Sequence, residues 1–406
     1  MKILFISSDY PRPEKGSNIY TDLAQELNNS NHVIKVVVSE EKKKIDKTEL
    51  FEEYGVPVLR VRSGNLYEVG FVEKTWTFLN ISRHLKKGIR KFFSGESFDL
   101  ILFQSPPVTF NRLIAWAMRK YKCKSYLMMK DIFPQNGVDI GLYSKINPIY
   151  WYFRSQEKKL YKTSSYIGCM SQGNIDYLLS HNKYLSPDKM ELFPNTVKVG
   201  RIPTIDPLEK EKIRGKYGLN KDDVVAIFGG NFGKPQGLDF LLNILNEYKY
   251  SKRVKFILIG RGTEKNRIFG EIKEKGYSNV YTFDFVPRSD YEKLTLTCDI
   301  GLIFLDSRFT IPNYPSKTLS YFESSLPIMA AIDSNTDYGK MLEVSESGFW
   351  VENGNIKAFK NKFDKLVSDK KLRILMGKNG RSYYEKECNV EKSVKIIESH
   401  EEKKNV

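Results

Sequence analysis

The chain has 406 residues, 41% hydrophobic and 28% charged, which excludes a disordered or fibrous protein and suits two domains of about 200 residues with separate cores. Lysine and arginine number 65 against 49 acidic residues, a net charge of +16 that favours phosphates, acidic lipid or another polyanion as partner. The basic residues are dispersed, and no zinc-finger spacing, RNA-recognition signature or basic zipper occurs, so no nucleic acid is expected.

Cys123, Cys169, Cys298 and Cys388 form no C-x-x-C pair, which points away from structural zinc and a disulfide framework and fits a reducing compartment. The apolar start is too short for a secretory signal, and no run approaches the roughly 18 apolar residues of a membrane span. A soluble or peripheral protein is expected.

The first six residues read as a buried parallel strand, followed by a proline-bearing loop and a helix carrying Leu23 and Leu27 on one face. Apolar strands follow at 32–38, 56–61, 98–103, 125–129 and 166–169, spaced for crossover helices, and the class is α/β with parallel sheets. Prolines and polar residues at 193–207 break the rhythm as a linker would. The pattern then restarts with strands at 224–228, 254–259, 280–285, 299–305 and 327–332. We expect domains at 1–200 and 201–385 and a helical tail at 386–406. Ligands of such sheets bind outside the carboxyl ends of the strands, and two facing sheets would enclose a cleft.

The motifs lie in those loops. Tyr314-Pro315-Ser316-Lys317 opens a helix expected at about Ser316, where free N–H groups, a lysine and hydroxyls could cradle a phosphate; alternatively Ser316 is an N-cap and Lys317 a solvated charge. Gly229-Gly230-Asn231-Phe232-Gly233-Lys234-Pro235-Gln236 follows the first strand of the second domain and either admits a diphosphate to its backbone or is a plain turn. Arg261, in Gly260-Arg261-Gly262, could pair with a phosphate, stack on a base, or do neither. Asp131 follows a buried strand of the first domain and could orient or deprotonate an acceptor hydroxyl, or cap a turn. Gly16 follows the first strand and could approach the donor or merely precede the next helix.

Together with Gln104-Ser105-Pro106-Pro107, Lys130-Asp131-Ile132-Phe133-Pro134-Gln135, Ser171, Pro194-Asn195, Gln236-Gly237-Leu238 and Thr336-Asp337-Tyr338-Gly339-Lys340, these motifs occur in an order that resembles family 4 glycosyltransferases. The resemblance is to the GT-B branch that builds capsule, O-antigen and exopolysaccharide, nearest the N-acetylfucosamine and other amino-sugar transferases. It implies two Rossmann-like domains facing across a cleft. It also implies metal-independent transfer, with retention, of an N-acetylated sugar from a UDP-linked donor to an undecaprenyl-diphosphate-linked acceptor, with no cofactor. Asp131 and Lys317 would then be catalytic. Gly16, Gly230, Asn231, Gly233, Lys234, Gln236, Arg261, Tyr314, Pro315, Ser316 and Asp337 would contact the donor. The chain departs from the family in that its usual glutamate pair corresponds to Pro312 and Ser320, and its donor-phosphate arginine and lysine to Asn231 and Gln236.

Phe71-Val72-Glu73-Lys74-Thr75-Trp76-Thr77-Phe78 leads into a stretch from Arg83 to Lys91 with five basic residues and no acid. Trp76, Lys86, Lys87, Arg90 and Lys91 are expected to contact an anionic membrane surface, and the resemblance to transferases of lipid-linked acceptors implies a cytoplasmic protein on the inner face of a bacterial plasma membrane. The alternative is a helix that packs Trp76, Leu85 and Ile89 on the first sheet. Two rival functions are a sugar-nucleotide epimerase of the same fold and a non-catalytic partner subunit.

Overall fold

The computed structural model describes residues 1–65 and 69–402 and divides into two compact units, residues 1–198 with the segment from Asn389 onward, and residues 199–388. The last four residues of the expected tail lie outside the described residues.

The first unit is built on an eight-stranded sheet. Its strands are β1 (Lys2–Ser7), β2 (Val33–Glu41), β3 (Glu49–Glu53), β4 (Val56–Ser63), β5 (Leu100–Ser105), β6 (Lys124–Met129), β7 (Tyr166–Cys169) and β8 (Met190–Leu192), in the order β3-β4-β2-β1-β5-β6-β7-β8. All pairs are parallel except β3 with β4. Unbroken apolar runs such as Ile3-Leu4-Phe5-Ile6 and Leu100-Ile101-Leu102-Phe103 are buried throughout, as central strands covered on both faces must be. β3 was not anticipated. It closes on β4 through the two-residue turn Tyr54-Gly55, both with positive φ, the geometry that matches strand twist in a hairpin. Helix Val390–Glu402 returns to this unit and buries Val394 and Ile397 in the core around Phe5, Val36 and Leu102. His400 Nε2 lies 2.8 Å from Glu191, and the hydroxyls of Thr196 and Ser393 meet at 2.7 Å.

The second unit contains β9 (Val224–Asn231), β10 (Val254–Arg261), β11 (Val280–Phe283), β12 (Ile300–Phe304), β13 (Ile328–Ile332) and β14 (Gly348–Glu352), all parallel, in the order β11-β10-β9-β12-β13-β14. That is the doubly wound order, with its reversal between β9 and β12. Phe228, Phe256, Phe304, Phe359 and Phe363 form the centre of its core.

Helix Pro207–Lys216 is tied to this sheet by one buried side chain. Arg214 donates to the carbonyls of Thr297, Asn220, Lys221 and Asp223 and to Asp299 Oδ2 at 2.7 Å. Taking the guanidinium away leaves several buried acceptors without a donor. We predict that Arg214→Met lowers the stability of the second unit by about 3 kcal/mol, measured as a fall in the denaturant midpoint. A change below about 0.5 kcal/mol, the scale of an ordinary surface substitution, would contradict this role.

Candidate functional site

At the reversal point of a doubly wound sheet, the loops leaving adjacent strands run to opposite faces and open a crevice at the carboxyl ends. In the second unit those strands are β9 and β12. The end of β10 joins the site from the other side of β9. Gly260 is in register with Gly230, and Arg261 with Asn231. Gly230 and Gly260 have φ of 121° and 155°, and a Cβ on Gly260 would overlap the Gly230 carbonyl, so the close approach needs glycine. Beyond it the Phe232 N–H donates to the Arg261 carbonyl and the Glu264 N–H to the Phe232 carbonyl, both at 2.8 Å. The Phe232 ring is buried and pins the loop.

Lys317 reaches this loop from the β12 side. Its Nζ donates to Gln236 Oε1 at 3.0 Å, lies 3.9 Å from the centroid of the Phe228 ring, and is 3.9 Å from where a Cβ on Gly230 would stand. Among the described residues no carboxylate pairs with it, and burial pushes its amine down to about 7. Arg261 is exposed, its guanidinium carbon 5.0 Å from the centroid of Phe285, and Lys234 is exposed beside Gly233. Three cations thus border the glycine loop with no ion pair to any of them among the described residues; Asp239, Glu264 and Asp306, which line the same pocket as Lys234, pair with Arg267 and Arg308.

The helix expected at Ser316 starts at Thr318 and runs only to Glu323, with Lys317 in the N-cap position. Thr318 N–H donates to Pro315 O and Leu319 N–H to Ser316 O, three-residue steps that form a tight turn ahead of the helix. A helix this short contributes little dipole, so the charge at this end is that of Lys317. Tyr314 packs edge to face on Tyr338 at 5.3 Å, and Ser316 is exposed. The segment is braced from the loop after β13, where Thr336 Oγ1 donates to Asn313 O at 2.6 Å and Asp333 accepts from the N–H groups of Asn335 and Thr336. Asp337 is half-buried there and precedes helix Tyr338–Val344 without a side-chain capping bond.

Gln236 and Ser320, where the family resemblance would put a cation and an acid, both bond to Lys317. Gln236 accepts from the Lys317 ammonium, and the Ser320 hydroxyl donates to the Lys317 carbonyl at 2.9 Å. Both hold the lysine. Two aromatic neighbours were missed. Phe228 is hidden in a strand, and Phe285 was read as the last residue of a strand that ends at Phe283 and is 63% exposed. The usable signal was an aromatic just before Val286-Pro287, where a strand gives way to a loop.

Asp131 and Gly16 belong to the first unit, at the carboxyl ends of β6 and β1. Asp131 Oδ2 accepts from Asn136 Nδ2 at 2.6 Å, and burial raises its carboxyl to about 6. Preceding it, Lys130 donates to Asn195 Oδ1 at 2.9 Å, and burial lowers its amine to about 7. Gly16, with φ 79°, accepts from the Tyr54 hydroxyl at 2.7 Å, and its neighbour Asn18 caps helix Ile19–Asn29.

In helix Phe71–Phe92, Leu85 and Ile89 are fully buried, as in the alternative of packing on the sheet, while Trp76 is 57% exposed. Lys87, Arg90 and Lys91 are exposed; Lys86 is half-buried with its Nζ 5.0 Å from the Trp116 ring. The side chains of Phe71, Val72, Lys74 and Thr75 lie outside the described residues. No helix among the described residues is long and apolar enough to cross a membrane.

Two parallel-sheet units of this kind make the GT-B fold of glycosyltransferases. Residues 209–383 match the family Glycosyl transferases group 1. The chain is similar to the capsular polysaccharide biosynthesis glycosyltransferase CapM of Staphylococcus aureus, 28% identical over 200 residues that cover 41% of this chain and 52% of CapM. The aligned stretches span about half or less of the curated relatives' lengths. Among solved structures, sucrose-phosphate synthase of Thermosynechococcus elongatus is 14% identical with a TM-score of 0.77, covering 99% of this chain and 98% of that one. Anabaena HepE, solved in complex with UDP-glucose, is 16% identical with a TM-score of 0.71, covering 99% of this chain and all of the other.

A lysine whose folded pKa lies below its unfolded value binds fewer protons folded than unfolded across that window, so stability rises with pH through it. For Lys317 the window runs from about 7 to 10.5, and the cost of enclosing the charge is fully felt below 7. We predict that Lys317→Met raises the melting temperature most below pH 7 and that the gain fades towards pH 10. A gain independent of pH would contradict the enclosure of this charge.

Proposed function

We infer that the protein is a glycosyltransferase of surface-polysaccharide assembly. It moves an N-acetylated amino sugar, with retention, from a UDP-linked donor to a lipid-linked saccharide. The carrying observation is the Lys317 ammonium, held beside the Gly230 backbone at the switch point of the second sheet with no carboxylate partner among the described residues. Cleaving a nucleotide-sugar bond leaves a diphosphate, so the main catalytic task is to stabilise negative charge as it develops. Lys317, Arg261 and Lys234 supply positive charge, and the glycine loop admits the phosphates close to backbone N–H groups. Bonding to the diphosphate also favours the charged lysine and draws its pKa back up.

The names of the relatives support the same reading. CapM is named for capsular polysaccharide biosynthesis, and HepE was solved with UDP-glucose. In this reading the first unit binds the acceptor at Asp131. With a carboxyl raised to about 6 the group is ionised at neutral pH and basic enough to accept a hydroxyl proton. The cations of the chain, in place of a metal, meet the charge on the leaving group.

Donors are found first by thermal shift across nucleotide sugars, since a ligand at 100 times its Kd adds about 2.7 kcal/mol. With the donor so identified, Lys317→Met is expected to lower turnover by roughly 10²–10³-fold. Asp131→Asn should abolish transfer while donor binding persists, and wild-type turnover should fall as the pH drops below about 6. Full turnover by Lys317→Met would refute the proposal, and conversion of the donor without an acceptor would mark an epimerase instead.

A further inference from the structure

One face of the first unit is apolar where a soluble surface would be polar. Leu142, Ile146, Ile149, Trp151 and Tyr152 are all exposed, Ile146 to 91% and Trp151 to 58%. They occupy the turn before helix Pro148–Thr163 and its first turn. Five large apolar side chains within eleven residues form a ridge, unlike the isolated exposed residues that any surface carries.

The exposed charged residues within the segment 142–159 are lysines, while Asp139, just before it, is half-buried and accepts from Gln135. Lys145 is exposed beside Ile146, and Lys158 and Lys159 are exposed two turns beyond Trp151 and Tyr152 on the same helical face. The only acid between residues 140 and 163 is Glu157, which is buried and ion-paired with Arg154. Tryptophan and tyrosine set at the edge of an apolar ridge and backed by lysines match the layered chemistry of a lipid headgroup region, apolar inside and anionic outside. A protein partner would have to supply acids to the lysines and an apolar groove to Ile146; a bilayer presents both at once.

The ridge is mechanically joined to the acceptor loop. The Phe153 ring packs on Phe133 at 5.0 Å, two residues after Asp131, and on Phe78 at 5.6 Å in helix Phe71–Phe92, which exposes Trp76 and Leu79. We propose that this ridge docks the protein on an anionic phospholipid bilayer, with Ile146 and Trp151 in the headgroup layer and Lys145, Lys158 and Lys159 on the lipid phosphates. The surface is thereby moved from the basic end of helix Phe71–Phe92 to the start of helix Pro148–Thr163. The purpose of docking, delivery of a lipid-linked acceptor to Asp131, rests on the proposed function; the binding itself does not.

The test is co-sedimentation of the full chain with phosphatidylcholine vesicles, with and without phosphatidylglycerol. The wild type should bind only the anionic vesicles. Ile146→Glu with Trp151→Glu should weaken binding about tenfold or more, as should Lys145→Gln with Lys158→Gln and Lys159→Gln, whose loss should also flatten the salt dependence. All five positions are exposed, so unchanged melting temperatures are expected. Undiminished binding by the glutamate pair overturns the proposal. So does loss of binding only in the Lys86→Gln, Lys87→Gln, Arg90→Gln and Lys91→Gln variant, or a self-association that the glutamate pair abolishes. Nucleotide-sugar thermal shifts on the same variants separate the two readings, because a ridge variant that leaves the membrane should still bind donor.

Discussion

The constraint on which the second unit's glycine loop turns is an ammonium group 3.9 Å from the centre of a phenylalanine ring, bonded to an amide oxygen and lacking a carboxylate partner among the described residues. Lysine charges buried in proteins are ordinarily paired, because enclosing one alone depresses its pKa and costs stability. Lys317 is half-buried and carries part of that cost. The arrangement suits completion by a ligand, and the neighbouring geometry suits a compact anion. The Gly230 and Gly260 backbones approach so closely that no side chain intrudes, and Arg261 and Lys234 add further positive charge. A doubly charged, compact anion with an apolar or aromatic attachment fits those terms, as a nucleoside diphosphate does.

Much of the scaffold was legible because it obeys burial rules that act locally. Strands covered on both faces read as unbroken runs, such as Val224-Val225-Ala226-Ile227-Phe228, and the structure places β9 there. The elements that escaped are those with weaker local signals. β3 and β8 lie at the two edges of their sheet, β3 with three acids among five residues and β8 only three residues long, and β14 is a five-residue strand entered through Gly348. Helix Thr318–Glu323 begins later than its sequence suggests because the preceding turn takes up Pro315 and Ser316. The contacts that give Lys317 its character were beyond reach, since Gln236 is 81 residues away and only the fold brings the two together. The five acceptors gathered by Arg214 likewise come from segments that no periodicity connects.

Gln236 and Ser320, where the family resemblance would put a cation and an acid, are informative for the same reason. Both side chains bond to Lys317, one at its ammonium and one at its carbonyl. A second positive charge at Gln236 would repel the lysine and depress its pKa further. The amide instead orients the ammonium without neutralising it, and the charge stays available to a ligand. In the first unit a comparable logic applies to Asp131, whose carboxyl is raised by burial and held by the Asn136 amide and the Ile132 backbone.

The most direct test is to follow the Lys317 side-chain amine itself, by NMR of ε-labelled lysine, through a pH titration with and without UDP. The account predicts an apparent pKa near 7 in the free protein, moving upward towards the ordinary lysine range when the diphosphate binds, with no such resonance in Lys317→Met. A pKa near 10 in the free protein, or one near 7 that UDP leaves unmoved, would contradict it.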